Sequence, residues 1–168
     1  MLVLLQEGGY INNKKDRSNM GIKQRVYEDW VGRKVDEAEM KALTVENVTP
    51  IYKRLYWHAV RADMLPAGID FYVFEAAVMH EPRPAVKWLQ KAVGCFDSGV
   101  VDLPTVSKTL LRKPTDIIKE MSQLRLSYLQ KLPSWSTNGK KWAKRLEEVE
   151  EAALILSYPE YIEQTGDV

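Results

Sequence analysis

The stretch LPAGIDFYVFEAAVM, residues 65–79, determines how the rest of the chain must pack. Its first four residues include a proline and a glycine and are typical of a turn. The residues that follow, Ile69 to Met79, carry so few polar side chains that a helix here would be apolar on nearly every side. The sequence therefore predicts a central helix surrounded by its neighbours.

Amphipathic helical patterns lie on both sides of this central segment. In each of them apolar residues recur every three or four positions, as in a helix that packs one face on a core. Asp36 and Glu39 predict a capping pair, and Pro50 predicts a bend or a lost backbone hydrogen bond. No stretch with strand periodicity competes, so the predicted fold class is all-α. The predicted helical segments are 21–31, 36–43, 44–56, 69–79, 82–94, 103–111, 116–132 and 140–156.

A glycine-containing stretch, CFDSGVVDLPT at residues 95–105, interrupts the helical patterns. Residues of this kind are typical of a turn between two packed regions. A chain of 168 residues is long enough for one domain or two small subdomains. We therefore expect a first region at residues 1–94 and a C-terminal helical subdomain at residues 95–168.

The composition argues against several classes of function. Lys and Arg total 24 against 23 Asp and Glu, so the net charge of +1 gives no reason to expect a nucleic-acid partner. The single cysteine excludes an intrachain disulfide and a Cys-rich zinc site. His58 and His80 lack partners at metal-ligand spacing, so we expect no metal and no cofactor. The apolar run Leu2 to Leu5 is too short for a signal peptide or a membrane span. We expect synthesis in the cytoplasm without an export signal, and no membrane insertion.

A glutamate, Glu7, ends that apolar run and stands immediately before Gly8 and Gly9. A glycine pair ends a helix, and the last turn of a helix carries partial negative charge and unsatisfied carbonyl groups. Both effects favour the protonated form of the acid, which is the form a general acid needs near neutral pH. Asp16 follows in a loop that the glycines fold back, so two carboxyl groups flank one cleft, as glycoside cleavage requires. The alternatives are a solvated glutamate and an ordinary loop aspartate.

The segment EGGYINNKKDR, residues 7–17, followed by NMGIKQRVY at 19–27, resembles the opening motif of the glycoside hydrolase family 108 muramidases. Further segments match family motifs in order, so that the resemblance spans nearly the whole chain. The chain departs from the family pattern where Ser18 alone replaces GGAT and where Met79 replaces an asparagine. The further matching segments are IYKRLYW at 51–57, LPAGIDFYVFEAAV at 65–78, AVKWLQKAVG at 85–94, DSGVVDLPT at 97–105 and WSTNGKKWAKR at 135–145.

The resemblance implies a lysozyme-like helical fold whose C-terminal region, packed on the first, is similar to a peptidoglycan-binding region. It also implies hydrolysis of the β-1,4 bond between N-acetylmuramic acid and N-acetylglucosamine in peptidoglycan glycan strands, with Glu7 as the catalytic acid. Proteins of this kind act on the cell wall. Two settings are open: an endolysin that a holin releases from the host cytoplasm, and a virion component that opens the wall of the next host.

The remaining candidate site residues carry a functional and a structural interpretation each. Asp16 would activate water or stabilise positive charge at the anomeric carbon, and the hydroxyl of Ser18 would serve where the family has a threonine. Their structural alternative, and that of Asn19, is turn chemistry. For the aromatic residues the structural alternative is core packing. Trp135 and Lys140 would meet glycan, and their structural alternative is packing between helices with Lys140 solvated. The candidates for substrate binding are Tyr10, Asn19, Tyr56 and Trp57.

Two other functions are compatible with these motifs. A displacement of about 1 Å at a catalytic group can cost on the order of 100-fold in rate. The shortened loop at Ser18 is therefore consistent with a weakened or inactive protein that binds peptidoglycan. A purely structural phage protein is the third possibility.

Overall fold

The computed structural model describes residues 9–13 and 16–158, with the side chains of residues 13 and 16 outside the description. The chain divides into two compact units, Met1–Leu55 and Tyr56–Val168. The described residues form eight α-helices and one small sheet. This architecture confirms the predicted helical fold. The expected functional division after residue 94 stays a prediction.

The first unit contains a three-stranded antiparallel sheet of β1 Ile11–Asn13, β2 Asp16–Asn19 and β3 Ile22–Lys23. A two-residue turn joins β2 to β3, and both of its residues, Met20 and Gly21, have positive φ. This turn matches the twist of paired strands. The sheet is not predicted from the sequence, because strands of two to four mostly polar residues are too short to show an alternating pattern.

Three helices complete the first unit: α1 Gln24–Val31, α2 Glu37–Lys41 and α3 Val45–Tyr52. The carboxylate of Asp36 accepts a hydrogen bond of 2.8 Å from the backbone N–H of Glu39, which confirms the predicted cap of α2. Pro50 lies inside α3, where it has no N–H to donate. The chain then changes its winding and continues as a π-helical turn, Lys53–Trp57, so the expected disturbance of the helix takes this form.

The second unit is built around α4, Ile69–His80, as the sequence predicts. The side chains of Ile69, Tyr72 and Val73 are completely buried. No helix in the described part of the chain is both long and apolar enough to cross a membrane. Around α4 lie a 3-10 turn, Ala62–Met64, and the helices α5 Pro82–Ala92, α6 Leu103–Leu110, α7 Pro114–Leu129 and α8 Trp135–Leu156.

The glycine-containing loop at residues 95–105 is held by one buried amide, that of Gln90 on α5. Its Nε2 donates to the carbonyl of Val100 at 3.0 Å and to Thr105 Oγ1 at 3.1 Å. Its Oε1 accepts from the backbone N–H of Gly99 at 2.8 Å. A completely buried amide that satisfies backbone groups of a loop fixes that loop on the helix. The WLQ and DSG segments therefore contact each other through the side chain of Gln90.

The turn before α4 requires a glycine, and this gives a first prediction. Gly68 has a φ of +81°, and a Cβ atom there would overlap the backbone carbonyl of Ala153 near the end of α8. We expect Gly68→Ala to lower the free energy of unfolding by about 2 to 3 kcal/mol, since it combines backbone strain with a clash. Denaturant unfolding measures this loss.

Gly94 provides the matched control for this substitution. It also has positive φ, +69°, but a Cβ atom there would meet no other atom within 4 Å. Gly94→Ala should therefore cost only the left-handed backbone strain, about 1 kcal/mol. Equal losses in the two variants would show that the contact with α8 contributes nothing.

Candidate active site

Of the predicted catalytic residues, the structure describes Ser18 and the backbone of Asp16, both in strand β2. Glu7 lies outside the described residues. The backbone of Asp16 begins β2 and pairs with Asn13, while its side chain lies outside the description. Ser18 pairs with Ile11 on one side and with Lys23 on the other. Ser18 is therefore a residue of the middle strand, with hydrogen-bonded neighbours on both edges.

The two faces of this sheet differ in burial. Asn19 and Ile22 are 6% and 2% exposed, whereas Ile11, opposite Ser18, is 58% exposed. Alternate residues of a strand face opposite sides, so Ser18 belongs to the face opposite to Asn19. The structure thus places Ser18 and Asn19, two neighbouring candidates, on different faces of the sheet.

Asn19 anchors the hairpin to helix α2. Its Nδ2 donates to the backbone carbonyls of Met40 at 2.9 Å and of Lys41 at 3.3 Å. These carbonyls lie at the C-terminal end of α2, where a helix has no backbone N–H donors of its own to satisfy them. The contacts account for the burial of Asn19 in structural terms, and its binding of sugar stays a prediction.

Tyr10 lies next to a small group of charged side chains. The ammonium group of Lys41 lies 5.1 Å from the centre of the Tyr10 ring and 2.8 Å from a carboxylate oxygen of Glu37. Arg17 approaches the same carboxylate at 3.8 Å. The hydrogen bond from Lys41 is the main reason why the pKa of Glu37 lies below its usual value. Tyr10 is thus half-buried beside fixed charges, a setting that suits a wall of a polar site.

Tyr56 and Trp57 belong to the second unit, where the π-helical turn ends. Both are partly buried against the hydrophobic core. The indole N–H of Trp57 donates to Asp63 at 2.8 Å, and its ring meets that of Phe74 edge to face at 5.6 Å. The structural interpretation of these residues as packing residues has direct support, while substrate binding stays a prediction. The candidates therefore divide between the units, with Tyr10, Ser18 and Asn19 in the first.

The late motif WSTNGKKWAKR also has a packing explanation. Trp135 and Trp142 lie on α8 with ring centres 6.4 Å apart. Gly139 lies between them, and a Cβ atom on it would be only 2.7 Å from the Trp135 ring. The glycine of this motif therefore lets an indole ring lie close to the helix backbone. Contact of Trp135 and Lys140 with glycan stays a prediction.

The second unit contains a buried ionic cluster that was not predicted from the sequence. Glu75 on α4 is 1% exposed, and its two oxygens meet Arg145 Nε at 3.1 Å and Arg125 Nη1 at 2.8 Å. The signal for it was the single acidic residue in the middle of an otherwise apolar helix segment, because a buried charge requires a partner. The motifs FEAAV and WAKR meet in this ion pair.

His80, at the end of α4, lies beside that cluster. Its ring stacks edge to face on Trp88 and Tyr128, with ring centres 5.2 and 5.8 Å apart. Burial, followed by the positive charge of Arg125, lowers the pKa of His80 from 6.5 to about 4. The imidazole is therefore neutral at neutral pH and cannot contribute a cation to this part of the core.

The pKa of His80 gives a second prediction. Because its folded-state pKa of about 4 lies below the unfolded value of 6.5, the unfolded chain takes up the proton first as the pH falls. The stabilisation is present above pH 6.5 and is lost between about 6.5 and 4. We expect a loss of roughly 2 kcal/mol, allowing for partial exposure of the ring. Urea unfolding of wild type and His80→Gln across this range measures it.

The difference between the two proteins isolates the contribution of His80. Among the described residues, Glu75, Arg125 and Arg145 are the charged groups around it, and all are unchanged in the variant. If His80→Gln keeps the wild-type pH dependence, the ring is not buried in its neutral form.

The sequence of this chain is that of a class of enzymes that cleave glycosidic bonds, the glycoside hydrolases, because the family model for Glycosyl hydrolase 108 matches residues 1–80. The chain is also similar to a solved structure, that of SagA from Brucella abortus, with 40% sequence identity and a TM-score of 0.80. That similarity covers 93% of this chain and 91% of SagA. No curated protein sequence matches the chain. The chain belongs to glycoside hydrolase family 108.

Proposed function

We propose that this protein is a muramidase that cleaves the β-1,4 bond between N-acetylmuramic acid and N-acetylglucosamine in peptidoglycan. The observation that carries the proposal is that the family match at residues 1–80 contains both carboxylates of the opening motif, Glu7 and Asp16. A pair of carboxyl groups is what glycoside hydrolysis requires. In this proposal the protein acts on the cell wall, as a lysin that a holin releases or as part of a virion.

The proposed reaction assigns one role to each residue. Glu7 donates its proton to the oxygen that bridges the two sugars as the bond from that oxygen to the anomeric carbon of N-acetylmuramic acid breaks. Asp16 stabilises the positive charge on that carbon or takes a proton from the attacking water, and the Ser18 hydroxyl orients the water. The water oxygen ends on the anomeric carbon, which becomes a new reducing end.

The hairpin geometry supports the role of Ser18. This residue lies on the middle strand of the sheet, between Ile11 and Lys23. Asn19 ties the same strand to α2 through two backbone carbonyls. A strand fixed in this way holds its residues more precisely than a flexible loop does. The shortened sequence after Asp16 is thus compatible with a positioned water molecule.

A cavity of about 320 Å³ in the first unit supports carbohydrate binding. The ring of Trp30, which is 39% exposed, forms part of the cavity wall, and the Arg54 guanidinium lies 5.7 Å from the centre of that ring. An aromatic face suits the apolar face of a sugar, and neighbouring charged groups suit its hydroxyls. Six residues line the cavity: Val26, Asp29, Trp30, Ile51, Arg54 and Leu55.

A second candidate function is binding of peptidoglycan without turnover. The replacement of the family's GGAT by Ser18 favours it, because the middle strand is then a regular four-residue strand between two short connections. Glycines that could let the water-binding group adjust are missing from that strand. This candidate shares the substrate with the first and differs from it only in the chemical step.

Digestion of purified sacculi tests the proposal. Soluble fragments are reduced with borohydride and analysed by mass spectrometry, which identifies the sugar at each new reducing end. Reduced N-acetylmuramic acid confirms a muramidase, whereas reduced N-acetylglucosamine or cleaved peptides contradict the proposal. Binding to sacculi without new reducing ends supports the second candidate. Failure to bind at all indicates a structural phage protein.

A further inference from the structure

A cavity of about 250 Å³ lies in the second unit, among α4, α7 and α8. Leu129 and Leu146 form a buried apolar wall, and Met79 and Trp142 lie nearer to solvent. A buried cavity of about 150 Å³ is enough to bind benzene. The space therefore accommodates a small organic group, and its partly exposed rim gives access. Met79, one of the two departures from the family pattern, forms part of this rim.

The polar side of the cavity consists of Arg125, Arg145 and His80. Arg125 is the most enclosed of them, with its side chain 4% exposed. Its Nη1 atom forms an ion pair with Glu75 Oε2 at 2.8 Å. Its Nε atom is buried without a hydrogen bond within the part of the chain that the structure describes. Arg145 holds the other oxygen of Glu75.

The electrostatics of this polar side favour an anion. His80 is neutral near pH 7, because burial and Arg125 hold its pKa at about 4. The guanidinium of Arg125 keeps its charge, and Glu75 is the carboxylate nearest to it. A guanidinium is a permanent positive charge that attracts a carboxylate or a phosphate. The apolar walls of the cavity suit an anion that carries an apolar body. This favours a carboxylate as the ligand over a phosphate, which is strongly hydrated.

We infer that this cavity binds the carboxylate of a small ligand whose body is apolar. The carboxylate meets the guanidinium of Arg125, and the body lies between Leu129, Leu146 and Trp142. Two sources present this chemistry: the C-terminal carboxylate of a short peptide and a free carboxylic acid. The inference does not rest on the proposed hydrolase activity, since binding is measured without turnover.

Binding is tested on the full chain with two pairs of probes. The peptide pair is acetyl-D-alanyl-D-alanine and its C-terminal amide, and the free-acid pair is hexanoate and hexanamide. The readouts are calorimetry and the NMR signals of the Trp142 indole N–H and the His80 ring. Each carboxylate should bind about tenfold or more tightly than its amide, because the amide loses a charge-assisted hydrogen bond. A bound carboxylate should also raise the pKa of His80 above about 4.

A pair of matched variants locates the site. Met79→Trp fills the rim of the cavity and should weaken carboxylate binding about tenfold or more, while Met79 is exposed enough for the fold to tolerate the change. Met64→Trp places the same residue at a similarly exposed position that does not line the cavity, and it should bind as wild type does. Circular dichroism verifies that both variants fold.

The binding results distinguish the two ligand sources and can overturn the inference. Tighter binding of the dipeptide than of hexanoate identifies a peptide end as the ligand, and the reverse identifies a free acid. Equal binding of carboxylates and amides, or no binding of any probe, overturns the inference. So does carboxylate binding that survives Met79→Trp without moving the signals of Trp142 and His80. Loss of hydrolase activity in other experiments leaves these results unchanged, so the two proposals fail independently.

Discussion

Glu7→Gln is expected to slow the release of soluble glycan from purified sacculi by about 100-fold to 10,000-fold, the range that general acid catalysis contributes. Glutamine has nearly the same size and shape but no proton to give to the bridging oxygen. Without that proton the leaving sugar departs as an alkoxide, which is a poor leaving group. Counting new reducing ends over time in both proteins measures the effect.

The same experiment needs a control that removes a carboxylate elsewhere. Glu147 is exposed on α8, and Glu147→Gln should digest sacculi at the wild-type rate. Binding of both variants to sacculi, measured by sedimentation, should match wild type, because the general acid acts on the chemical step. Full activity in Glu7→Gln would assign the proton to another residue. Loss of wall binding in Glu7→Gln would indicate a role in recognition.

Most of the helices could be predicted because they depend on patterns within one stretch of sequence. Two predicted starts were wrong: α8 begins at Trp135, five residues before the predicted segment 140–156, and the predicted segment 21–31 begins in the turn and strand that precede α1. The apolar segment after Gly68 is buried at the centre of its unit, and Asp36 caps α2 as expected. Both features follow from the spacing of neighbouring residues alone. The motif match also indicates the family, since it rests on residue identities.

The small sheet and the buried charges could not be predicted in the same way. Strand β2 reads DRSN, and only its pairing with β1 and β3 makes it a strand. Glu75 is 70 residues from Arg145, so no local pattern shows that they meet. Asn19 is similar: its residue type suggests a turn or a ligand, whereas its contacts with α2 make it an anchor. Contacts between distant segments decided each case.

The second large effect is expected in the buried ionic cluster, where Glu75→Gln should lower the free energy of unfolding by about 3 to 5 kcal/mol. The side chain keeps its volume, so little packing is lost. The cost arises because Arg125, with a side chain 4% exposed, then keeps its charge in the core without the neighbouring carboxylate. Arg145 is 22% exposed and can shift toward water, so its share of the cost is smaller. Urea unfolding at pH 7 measures the loss.

Two comparisons show whether burial is the cause. Glu120 pairs with Arg112 at 3.0 Å on the surface, where the side chains are 42% and 38% exposed, so Glu120→Gln should lose at most about 1 kcal/mol. The double variant Glu75→Leu with Arg125→Leu removes both buried charges and should regain most of the stability that Glu75→Gln loses, since apolar residues of similar volume replace a buried pair at little cost. A double variant no more stable than Glu75→Gln would contradict this explanation. It would show that the cluster stabilises the core through its hydrogen bonds and through the stacking of Arg125 on Tyr72 and Trp88. The uncompensated charge of Arg125 would then be a minor part of the lost stability.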